Sequence, residues 1–138
     1  MTTTNAPQTL IVLTCHAPMA SALHAVACHG FGMTLSAIRV VDVLSSATPS
    51  TVIDELEALW VQEGRPEQVL VLTDLLGATP SNGVNQWLAR APQTRAGLTG
   101  VSLPMLLRAL SHRDQPARAL GERLMASAHA CISPLPQA

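Results

Sequence analysis

Residues 69–82, VLVLTDLLGATPSN, constrain the fold more than any other stretch of the chain. Val69 to Thr73 form an unbroken run of β-branched and aliphatic residues, the pattern of a parallel strand covered by helices on both faces. A lone acid, Asp74, closes the run, and a short loop with Gly77 follows. Thr79 then reads as an N-cap and Pro80 as the first helical position, where a missing N–H costs nothing. Asp74 therefore stands at the carboxyl end of a strand, the edge at which open parallel sheets present their ligands.

Residues 9–23, TLIVLTCHAPMASAL, repeat this grammar: an apolar strand to Thr14, then Cys15 and His16, then Pro18 opening a helix of small residues. If the two strands are parallel neighbours whose helices leave toward opposite faces, His16 and Asp74 flank one crevice. A carboxylate bonded to one imidazole nitrogen locks the tautomer and raises basicity, leaving the other nitrogen as nucleophile or base. The helix start after Gly77 offers backbone N–H groups and a positive dipole end, and the Thr79 hydroxyl can add a donor. This combination suits an anion carried on the histidine, and the chemistry it permits is phosphoryl transfer onto and off His16. No cofactor is implied, and one acid with one histidine is too few for a dedicated metal site.

In chain order, residues 1–8 read as a flexible lead-in. A helix runs from Pro18 to His29 and ends at Gly30 and Gly32. Residues 35–43 read as a strand near a sheet edge because Arg39 and Asp42 interrupt it. A helix over residues 50–63 follows the Thr48, Pro49 and Ser50 start signal. The helix after Asp74 ends near Ala91, before Pro92. Residues 94–100 are placed as a strand by context, since Ala96 and Gly97 give it little propensity. Ser102 caps a further helix with Pro104 at its start, and Asp114 with Pro116 restarts a last helix that runs to Ala130. Residues 131–138, CISPLPQA, are a short edge strand or a tail. The alternation predicts right-handed crossovers and a three-layer α/β sandwich around a mainly parallel sheet. By length, residues 1–138 make one domain.

Only 12% of the residues are charged while 48% are hydrophobic, against a usual charged share of about a quarter, which favours an oligomer. Phe31, Trp60 and Trp87 are the only aromatic residues and the net charge is -1, so a base-stacking nucleic-acid surface is disfavoured. No apolar run reaches the 18 or so residues of a membrane helix, and the N-terminal segment lacks the basic region of a signal peptide. Cys15, Cys28 and Cys131 are odd in number and unpatterned, consistent with a reducing cytoplasm. Cys15 is expected to be a buried structural thiol, because adjacent residues of a strand face opposite ways. His24, His29, His112 and His129 have no metal-ligand spacing.

Three ordered segments, LTCHAPMASAL, LTDLLGATPSN and TGVSLPMLLRAL, resemble the IIA components of the mannose-type (mannose/fructose/sorbose) sugar phosphotransferase system. The resemblance covers most of the chain. It implies strand order 2-1-3-4 with an added C-terminal edge strand, and a homodimer in the cytoplasm. It makes His16 the phosphorylated histidine, Asp74 its orienting carboxylate, and Gly77 and Thr79 part of the phosphoryl-binding loop. The implied donor is the histidine phosphocarrier protein, and the acceptor is a separate IIB component or, in a regulatory protein, a target bound according to phosphorylation state. Cys15, His16 and Ala17 stand where the family usually has Ser-His-Gly. Leu76, Gly77 and Ala78 replace a double glycine after an aromatic, and GVSLPML replaces GVNLPML. None of these changes removes a group that the transfer needs. A receiver domain phosphorylated on Asp74 fits less well, because His16 occupies the strand end where an acidic pair would be required.

Overall fold

The computed structural model describes residues 8–32 and 38–136. The apolar runs become four strands, β1 (Leu10–His16), β2 (Ile38–Val43), β3 (Val69–Thr73) and β4 (Arg95–Leu98). Between and after them lie α1 (Met19–Phe31), α2 (Pro49–Gln62), α3 (Thr79–Leu88), α4 (Leu103–Ser111) and α5 (Ala117–Ala130). The strands form one parallel sheet in the order β2-β1-β3-β4. The polar interruptions at Arg39 and Asp42 do mark an edge strand.

Alternation along the strands builds a core on each face of the sheet. Ile11, Leu13, Cys15, Leu70 and Leu72 pack with Ala20 and Ala27 of α1, Leu106 of α4, and Leu120 and Leu124 of α5. On the other face Leu10, Val12, Val69 and Val71 pack with Val52 and Leu56 of α2 and Val84 and Trp87 of α3. Thus β1 sends α1 to one face and β3 sends α3 to the other, which opens the crevice between two adjacent strands.

Several boundaries differ from the sequence expectation. β1 continues through His16, because the Ala17 N–H still donates to the Val43 carbonyl at 2.9 Å. Gly30 stays inside α1, and Gly32 alone ends it at φ 67. The N-cap of α3 is Ala78, so Thr79 is the first helical residue and Pro80 the second. The helix also stops at Leu88, beyond which Arg90 and Ala91 make tighter bonds to the carbonyls of Trp87 and Leu88. Residues 131–136 form no strand, so the tail is the alternative that describes them; Pro134 and Pro136 have no N–H for a ladder. The lead-in over residues 1–7 and the first residues of the expected second strand, 35–37, lie outside the described residues.

Helices α2 and α3 approach closely at Gly83, where an added Cβ would lie 2.5 Å from Val52 Cβ and 2.9 Å from the Pro49 carbonyl oxygen. Backbone cannot retreat as a flexible side chain can. Gly83→Ala is therefore expected to lose about 1 to 2 kcal/mol, overpacking outweighing the better helix propensity of alanine. Urea unfolding should show a lower midpoint at unchanged slope, and an unchanged or higher midpoint would refute the tight contact.

Candidate active site

Thr14 and Thr73 are the last register partners of β1 and β3. Just beyond them the two strands deliver His16 and Asp74 to the same point. Asp74 Oδ2 accepts the His16 backbone N–H at 3.1 Å and lies 2.8 Å from His16 Nδ1. An ionised carboxylate only accepts, so Nδ1 carries the proton and Nε2 keeps its lone pair. The His16 side chain is 47% exposed and that of Asp74 only 12%; the imidazole faces solvent and its carboxylate is sheltered behind it.

Burial works to raise the Asp74 pKa, but the hydrogen bonds from the His16 ring and the His16 N–H, with one from its own backbone, outweigh it and leave the carboxyl below its ordinary value. Oδ1 of Asp74 and the hydroxyls of Thr14 and Thr73 are buried with no hydrogen-bond partner among the described residues. Cys15 faces the opposite core and is fully buried. Burial first, then the nearby charges of Asp74 and Asp42, push its thiol up to about 12. The expectation of a structural rather than nucleophilic thiol holds.

The loop between Asp74 and α3 is held by its own polar side chains. Gly77, at φ 85, has open space around its Cβ position, so glycine is required here by backbone conformation and not by crowding. Its N–H donates to Ser81 Oγ at 3.0 Å, the Ser81 hydroxyl donates to the Ala78 carbonyl at 3.0 Å, and Asn82 Nδ2 donates to the Gly77 carbonyl at 3.2 Å. Thr79 is not the cap that its residue type suggests, and α3 has no side-chain cap. Ser81 and Asn82 were not singled out from sequence; two small polar residues in the first turn after Pro80 were the available signal. Ser102 caps α4 by accepting the Met105 N–H at 3.3 Å. Among the described residues no three His, Cys, Asp or Glu side chains are placed to hold a metal ion, and no helix is long and apolar enough to cross a membrane.

The parallel α/β sheet thus carries at its carboxyl edge an exposed histidine whose ring is held by a sheltered carboxylate. A family model described as the PTS system fructose IIA component matches residues 10–124. The chain belongs to this mannose-type IIA family of the sugar phosphotransferase system. Solved structures share its fold. The mannose/sorbose specific IIA subunit of Enterococcus faecalis aligns with a TM-score of 0.84 at 21% identity, over 95% of this chain and 97% of that one. The IIA protein associated with the fucose utilization operon of Streptococcus pneumoniae aligns at 0.79 and 19% identity, over 96% of each. The phosphotransferase system component EIIA of Streptococcus agalactiae aligns at 0.79 and 22% identity, over 91% and 96%. No curated protein matches the sequence.

Two outcomes test this geometry. A carboxyl whose pKa is lowered on folding adds stability above its unfolded value, about 4, and surrenders it as the pH falls through the folded value. Urea unfolding should give wild type an advantage over Asp74→Asn that shrinks as the pH falls below about 4; a difference unchanged across that range would contradict the His16 contact. Native iodoacetamide should label the exposed Cys131 and reach Cys15 only in the unfolded chain, as peptide mass mapping would show.

Proposed function

We propose that this protein is a phosphoryl carrier, accepting a phosphoryl group on His16 from the histidine phosphocarrier protein and passing it to a IIB component. The observation that carries this reading is the 2.8 Å contact of Asp74 Oδ2 with His16 Nδ1, which leaves Nε2 as the nucleophile. In the first step the Nε2 lone pair forms a new N–P bond while the bond from phosphorus to the donor breaks, its electron pair staying on the donor. Asp74 keeps the Nδ1 proton in place and stabilises the positive charge that the ring acquires. The second step runs the same exchange toward the acceptor's nucleophile.

Phosphoryl transfer depends mostly on alignment and on donors for the equatorial oxygens. The first-turn N–H groups of α3 and the Thr79 hydroxyl fill that role here, and Gly77 gives the loop its turn. The exposed histidine supports a macromolecular partner. A cleft of about 410 Å³ beside the loop is lined by Thr73, Gly77 and Ser81 but by neither His16 nor Asp74. Leu75 and Leu76, directly after Asp74, are 60% and 79% exposed, an apolar rim suited to a docking protein. The low charge and the exposed Ile132 and Leu135 support a homodimer, and the reading as a whole places the protein in the cytoplasm.

Incubated with phosphoenolpyruvate, enzyme I and the phosphocarrier protein, wild type should gain one acid-labile phosphoryl group by intact mass, with nitrogen-15 NMR placing it on Nε2. His16→Ala should gain none. Asp74→Ala should be slowed about ten- to a hundredfold, the scale of losing a histidine's orienting partner. A wild-type protein that takes no phosphoryl group from the loaded carrier would sink the relay. Phosphorylation without onward transfer to a IIB protein would move the output to a regulatory partner.

A further inference from the structure

Asp42, near the carboxyl end of β2, spends both carboxylate oxygens on one residue of α1. Oδ1 accepts the Ser21 backbone N–H at 3.1 Å, and Oδ2 accepts the Ser21 hydroxyl. Ser21 is the third residue of α1, whose first-turn N–H groups have no partner within the helix. Pro18 stands at the N-cap without a side-chain oxygen, and α1 has no side-chain cap of its own. Asp42 supplies that cap from a neighbouring strand, with its negative charge at the positive end of the helix dipole.

The same strand end holds the residue after the histidine, since the Ala17 N–H donates to the Val43 carbonyl at 2.9 Å. The segment 16–21 is thus gripped from both sides of β1. Asp74 at the end of β3 takes the N–H and ring of His16, while Val43 and Asp42 of β2 take Ala17 and Ser21. We infer that Asp42 is a positioning residue for phosphoryl transfer, fixing the turn from β1 into α1 and with it the direction of His16 Nε2. This inference rests on the relay reading above. In-line transfer is steeply sensitive to placement, with an error of about 1 Å able to cost about a hundredfold.

Asp42→Ala should lower kcat for phosphorylation of His16 by the loaded phosphocarrier about ten- to a hundredfold, with KM for the carrier little changed. Asp42→Asn keeps an oxygen for the Ser21 N–H and an amide for its hydroxyl, and should recover most of the rate. In the unphosphorylated protein, the nitrogen-15 shifts of the His16 ring should report a fixed Nδ1–H tautomer in wild type and in Asp42→Asn, and averaging between tautomers in Asp42→Ala. Trp60→Phe, which loses a hydrogen bond to the Pro66 carbonyl at the far end of the sheet, should lower Tm yet leave both readouts alone. If Asp42→Ala does not fold, Ser21→Ala carries the same comparison with a smaller expected loss.

Wild-type kcat together with an unchanged ring tautomer in Asp42→Ala would overturn the inference. So would an Asp42→Asn protein as slow as Asp42→Ala, which would make the carboxylate charge the active quantity and not its grip on Ser21. If wild type itself takes no phosphoryl group, the relay reading fails, and the ring shifts alone still decide whether Asp42 orients His16.

Discussion

The parallel pairing of Leu10 to Thr14 with Val69 to Thr73 leaves two residues of β1 and one residue after β3 beyond its last bonded pair, and there an imidazole meets a carboxylate. The register of that pairing is decisive. Slipped by one, β1 would turn Cys15 toward Asp74 and His16 toward the core. Because β1 is apolar on both faces, alternation alone cannot select the register; the anchoring comes from the strand's entry. The Thr9 N–H donates to the Arg113 carbonyl, the Thr9 hydroxyl to the Gln115 carbonyl, and Arg113 Nε back to the Thr9 carbonyl. The next residue, Leu10, donates to the carbonyl of Gln68, the residue before β3. Contacts at the amino end of the sheet thereby set the chemistry at its carboxyl end.

Helix starts divide into those closed locally and those closed from elsewhere. Thr48 and Ser102 cap α2 and α4 with their own side chains. Asp42 closes α1 from β2, and Gln68 Oε1 accepts the Ala117 N–H at 2.8 Å to close α5. In α3 the nearby side chains serve the loop instead: Ser81 binds Gly77 and Ala78, and Asn82 binds the Gly77 carbonyl. The first-turn amides of α3 are thus left without a side-chain cap.

Legibility in the sequence follows the range of the interactions. β3 emerges residue for residue as Val69 to Thr73, because an apolar run bounded by turn residues, five residues long and rich in β-branched side chains, is too short for a buried helix. The start of α3 was misplaced by one, since N-cap statistics favour threonine over alanine while the chain satisfies its turn through the Ser81 hydroxyl. β4 is placed only by its neighbours; RAGL has little propensity, and a Cβ on Gly97 would lie 3.2 Å from the Val71 carbonyl oxygen. His16 and Asp74 each stand at a strand end that the pattern identifies, but their meeting depends on strand order, for which the family resemblance was needed. Asp42 read only as a polar break near an edge. Its partner lies 21 positions away, and no local pattern connects the two.

The two ends of the sheet carry opposite polar economies. At the amino end, Arg95 is buried with its guanidinium 3.7 Å from the Trp87 ring and 4.8 Å from the Trp60 ring, and it donates to the Trp87 carbonyl. Trp87 Nε1 donates to Glu57, and Trp60 Nε1 to the Pro66 carbonyl. Two of the chain's three aromatic residues are concentrated there, tying α2, α3 and β4 together with each indole N–H satisfied. At the carboxyl end, the Thr14 and Thr73 hydroxyls and Asp74 Oδ1 are buried without partners among the described residues. Each such group costs about 1 to 3 kcal/mol if it stays unbonded. A sheet that concentrates its rigid contacts at its amino end can carry that cost at its carboxyl end, because folding stability is a sum over the whole domain.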